Sequence, residues 1–144
     1  MSTITWSIPV IVMMILTIIS VFITLFSRIQ AIRKDKISLD DLRSMDFYKK
    51  EHPWLEITSR HLDNLFQMPV LFYICFIIIL LTPALMKIHY FLVLGWLFVS
   101  FRIINSIMHL STNNLSLRLC SFLVSTACLF TMILMLLFEL LKLH

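Results

Sequence analysis

No charged residue occurs between positions 2 and 27, and this uncharged stretch restricts the chain more than any other feature. At about 1.5 Å per helical residue its core, 8–26, covers the roughly 30 Å hydrocarbon layer of a bilayer. Pro9 falls in the first turn of that helix, where its missing N–H costs nothing. The run is longer than a signal-peptide core, has no basic segment before it and lacks a small-residue exit, so it is expected to remain attached as a first span. A second uncharged run covers 64–86, with a helix expected to start near Thr58 or Ser59 as N-cap. Pro69 lies inside it and removes one backbone hydrogen bond, which predicts a kink. The third run, 88–101, is too short to cross alone, but its apolar periodicity continues past Arg102 to Leu110. Span three therefore carries an arginine. Thr112, Asn113 and Asn114 read as a tight polar turn, and 119–138 gives the fourth span, ended by Glu139 and Lys142.

Composition agrees with this reading. Of the 144 residues 60% are hydrophobic and 14% charged, and Gly95 is the single glycine. A water-soluble domain of this size carries about a quarter charged residues and uses glycine to punctuate its turns. The expected fold is all-α and integral to the membrane, a four-transmembrane-helix bundle in one domain spanning the lipid bilayer. Its spans are 6–27, 59–86, 88–110 and 118–139, and a loop covers 28–58. The short connection between spans three and four makes them antiparallel neighbours.

Eight of the twelve Lys and Arg fall between 28 and 63, interleaved with seven of the eight acids. Ser38, Leu39, Asp40 and Asp41 resemble a helix start, and Ile37, Leu42, Met45, Phe47 and Trp54 offer an apolar side, which predicts short helices at the membrane surface. Arg118 adds a further cation on this side, whereas the opposite side has only Lys87 and Lys142. Positive residues gather in cytoplasmic loops, so both termini are expected to be non-cytoplasmic. The interleaved charges form no basic stripe, which argues against nucleic acid as a partner. Cys75, Cys120 and Cys128 lie in apolar runs without metal or disulfide spacing, and no metal site is expected.

The polar residues of the spans gather near the loop side. Arg60, Asn64 and Gln67 follow i, i+4, i+7 spacing in span two, and Arg102, Ser106 and His109 do the same in span three, with Asn105 beside them. Gln67 and Arg102 both lie about 12 Å below the surface, and both stripes are expected to face the bundle interior. Arg118 opens span four at the same side. A charge at mid-helix costs about 2.5–3.5 kcal/mol on insertion scales. Arg102 is thus either paired with Asp63 or Gln67, a purely structural role, or part of an anion-binding pocket. Arg60 and Arg118 also suit interfacial anchoring, and His61 and His109 suit hydrogen-bonded packing. Phosphate-cradling loops, zinc motifs and nucleophile elbows are absent from the sequence.

The stretch Ser59-Arg60-His61-Leu62-Asp63-Asn64-Leu65-Phe66-Gln67-Met68-Pro69 resembles the second helix of the membrane-associated proteins in eicosanoid and glutathione metabolism, the MAPEG family. The segment from Arg102-Ile103-Ile104-Asn105-Ser106 through Asn114 to Arg118 resembles that family's third helix, turn and fourth-helix arginine. The resemblance covers nearly the whole chain and is closest to the bacterial branch, which implies a multi-pass protein of the inner (plasma) membrane. It also implies a homotrimer that binds glutathione between subunits near the cytoplasmic face and acts on a lipophilic small molecule as a transferase or peroxidase. The position matched by Arg118 stabilises the glutathione thiolate, and those matched by Arg60, Asn64, Gln67 and Arg102 belong to the glutathione-contacting set. Gln67 stands where the family pattern has a glutamate, Pro69 comes one residue early, and His109 occupies the place of a tyrosine. These departures leave a non-catalytic lipid-binding or scaffold protein of the same fold as the alternative, beside a protein whose polar residues only lock helix packing.

Overall fold

A chain in hydrocarbon must satisfy its own backbone N–H and C=O groups, and a helix is the way one segment does so. This overrides the strand preference of the many Ile, Val and Phe residues. In a computed structural model, which describes residues 3–35, 53–111 and 115–142, the chain forms four long helices. These are α1 (Thr3–Asp35), α2 (Pro53–Leu81), α3 (His89–Leu110) and α4 (Leu115–Lys142), with a 3-10 turn at Leu85–Lys87 between α2 and α3. All four are long and apolar enough to cross a membrane, and the described residues contain no strand. The expected all-α membrane bundle is the observed one.

The helix ends differ from the expected spans most at α1 and α2. α1 continues past Ser27 to Asp35, and α2 begins at Pro53 instead of 59. Hydropathy marks where lipid ends, but Gln30, Ala31, Arg33 and Lys34 are good helix formers and carry the helix into water. Proline suits the first position of α2. That helix stops at Leu81, short of Met86, because Pro83 ends it; Leu85 then turns inward and is buried. The surface helices expected around Ser38 and the turn at Thr112 to Asn114 lie outside the described residues.

Each helix buries one stripe. On α1 it comprises Trp6, Met13, Ser20, Thr24 and Ser27, and on α2 Thr58, His61, Leu65, Phe72, Phe76 and Ile79. On α4 Ser121, Ser125, Leu129, Met132 and Leu136 repeat at one-turn intervals. α1 packs along α2 and α3 along α4, so the bundle is two helical hairpins in contact. Small residues permit the close approach. At Gly95 of α3 the Phe76 ring sits so near that an added Cβ would overlap its tip, with Phe76 Cε2 at 2.7 Å. The outward faces carry Ile11, Ile18, Phe22, Ile77, Phe130 and Phe138, all exposed. Such continuous apolar cover suits lipid, not water.

Candidate functional site

The end of the bundle that carries the α1–α2 connection, the loop end, also holds its buried polar side chains. In the first hairpin these are hydroxyls. Ser27 Oγ donates to the Thr24 carbonyl at 2.8 Å and lies 3.0 Å from Thr58 Oγ1. Either hydroxyl can be the donor of that second contact. Thr24 Oγ1 reaches both the Ser20 and Thr58 carbonyls, at 2.9 and 3.2 Å. Ser20 Oγ donates to the Leu16 carbonyl at 2.9 Å, which leaves it to accept from His61 Nε2 at 3.3 Å. This seam is absent from the candidate set read from the sequence. Its signal was available in Ser20, Thr24 and Ser27, which repeat at i, i+4, i+7 inside an otherwise apolar span.

In the second hairpin the buried group is a cation. Arg102 is 1% exposed, and its guanidinium carbon lies 5.3 Å from the centroid of Phe98, one turn earlier on α3, and 5.2 Å from that of Phe122 on α4. Neither Nε nor Nη2 has a hydrogen-bond partner among the described residues. The expected structural pairing with Asp63 or Gln67 is therefore not made: both of those residues are exposed on α2. Aromatic faces have taken the place of an acid. Burying an ion costs several kcal/mol even after relaxation, and each ring returns about 0.5–2 kcal/mol. The two contacts together leave part of that cost uncompensated, so the site retains a demand for negative charge.

Asn105 and Ser106 are also buried, but they are engaged. Ser106 Oγ donates to the Arg102 carbonyl at 2.9 Å. Asn105 Nδ2 donates to the Arg118 carbonyl at 2.9 Å, and Ser121 Oγ reaches the same oxygen at 3.0 Å. The Asn105 bond fastens the first turn of α4 to α3. Arg118, half-buried, lies one turn before Phe122 on the same face of α4. The fold thus brings Arg102 and Arg118 to one seam through Phe122 and Asn105.

The α2 stripe behaves otherwise. Arg60 and Gln67 are exposed and Asn64 is half-buried, so this stripe looks out of the protomer and not into the bundle interior as expected. The inward positions on that helix belong to Thr58, His61 and Leu65. His109 lies on α3, but its side chain is outside the described residues. No group of three or more His, Cys, Asp or Glu able to hold a metal exists among the described residues.

The helices and the buried arginine together define a multi-pass integral membrane protein of the bundle type with an electropositive seam at one end. A family model covers nearly the whole chain, matching residues 6–138, and the chain belongs to the MAPEG family. No curated protein and no solved structure matches it.

Proposed function

We propose that the chain is a membrane-bound, glutathione-dependent transferase or peroxidase that acts on a lipophilic substrate as a homotrimer. The observation that carries this reading is Arg102, a buried guanidinium with two nitrogens unpartnered among the described residues and the rings of Phe98 and Phe122 against it. An anionic tripeptide fits that demand, since Arg presents a rigid fork of donors matched to a carboxylate. When bound, glutathione supplies a thiol whose thiolate is the nucleophile or the two-electron reductant. Arg118 is suited to favour that thiolate, because a nearby cation and the first turn of a helix both lower a thiol pKa. Gln67 lies ten residues into the Ile57–Leu81 span, and a polar side chain at that depth on an outward face calls for cover. A second copy supplies it, which assigns Arg60, Asn64 and Gln67 to a site shared between copies. The lipophilic substrate arrives laterally, along the apolar outer faces.

Conjugation of glutathione to a chromogenic electrophile by the detergent-solubilised protein tests the proposal, together with titration calorimetry against glutathione. Arg118→Ala is expected to reduce turnover about 10²-fold, the scale of losing one electrostatic contact to a reacting anion, with glutathione still bound. The neutral Gln67, in place of the family's glutamate, favours a second reading in which the protein binds lipid without turnover. Saturable lipid binding with no thiol-dependent product would establish that alternative and overturn the enzymatic one.

A further inference from the structure

The two rings against Arg102 are held very differently. Phe98 is fully buried and stacked on Phe72, with centroids 4.7 Å apart and planes 16° from parallel. Phe72 in turn lies 4.7 Å from Phe76, whose ring is wedged against Gly95. Moving Phe98 would disturb this whole column. Phe122 is half-buried and takes no part in the stack.

An anion cannot reach a group that is 1% exposed unless something moves. Parting the backbones of α3 and α4 is opposed by the bond from Asn105 Nδ2 to the Arg118 carbonyl. Of the two rings on the guanidinium, Phe122 is the one outside the stack, and a helix offers two staggered wells for such a side chain. We infer that Phe122 is a movable cover over Arg102, which lies on the guanidinium when the seam is empty and swings aside when an anion takes its place. Arg118 shares the Phe122 face of α4, so the uncovered opening is bordered by both cations. The exchange is favourable because charge-assisted hydrogen bonds are stronger than a ring contact. This inference rests on the reading of Arg102 as an anion site, and it makes Phe122 the residue that governs access to it.

Modification of arginine by phenylglyoxal, followed peptide by peptide by mass spectrometry on the full chain in detergent, tests the cover independently of turnover. Exposed Arg28, which lies outside the proposed site, serves as the internal reference. Phe122→Ala is expected to accelerate modification of Arg102 about ten-fold relative to Arg28, and Phe122→Trp, with a stronger cation–π face, to slow it. Phe122→Leu provides the same comparison if the alanine variant does not fold. Glutathione should protect Arg102 in the wild-type protein. Protection by inorganic sulfate but not by glutathione would support the cover and overturn the glutathione reading. An unchanged Arg102 rate in a Phe122→Ala or Phe122→Leu protein that melts like wild type would overturn the cover itself.

Discussion

Replacing Arg102 by leucine separates two roles for a buried charge. Removing one partner of a buried ion pair strands the other and costs about 3–5 kcal/mol. Arg102 has Phe98 and Phe122 as neighbours in place of an acid, so Arg102→Leu strands nothing. Its thermal unfolding in detergent is expected at or above the wild-type temperature. Glutathione affinity should fall about 10–100-fold, the worth of one charge-assisted hydrogen bond; lost stability with unchanged affinity would assign Arg102 to packing. Gln67→Glu tests the outward face of α2. A carboxylate there would meet the ligand's ammonium and is expected to tighten binding in calorimetry. Weaker binding by a correctly folded Gln67→Glu protein would count against a site shared between copies. Gly95→Ala is a purely steric case. The new methyl overlaps a Phe76 ring that cannot retreat past Phe72, and overpacking of this kind costs about 1–3 kcal/mol, readable as a lower unfolding temperature.

Among the elements, the first hairpin is held by hydroxyls and the second by Asn105 and the rings over Arg102. Thr58→Val keeps the shape of the seam but deletes the bond to Ser27, and a loss of about 0.5–1.5 kcal/mol is expected, measured by thermal unfolding. The four helices were legible in the sequence because uncharged runs of membrane length admit one backbone solution. Their ends were less so: hydropathy reports the edge of the lipid, while α1 continues into water to Asp35. The site was legible in part. Spacing groups Arg60, Asn64 and Gln67 on one face of α2, but it cannot say which way the face looks. The same helix carries a second polar row, Thr58 and His61, and that row turns inward. Arg102 announced itself as a charge in an apolar span. Its neighbours did not, since Phe122 is one of 12 phenylalanines, and its contact with α3 depends on the relative rotation of two helices.

At the scale of the whole molecule, the loop end carries most of the basic residues and should face the cytoplasm. A Ser38→Cys substitution is expected to react with a membrane-impermeant maleimide only after cells are permeabilised; labelling of intact cells would reverse the orientation. The bundle's division into two hairpins bears on how the chain enters the bilayer. Met108 ends the apolar window of α3 only six residues beyond Arg102, and a cation within a short apolar segment weakens its partition from the translocon. What covers that charge on its α4 side is Phe122, which is synthesised twenty residues after it. α3 should therefore insert poorly when α4 is withheld and efficiently when the two emerge together. A glycosylation reporter fused after residue 111 or after residue 142 would record the difference, and it makes the ring over Arg102 an aid to assembly before it is anything else.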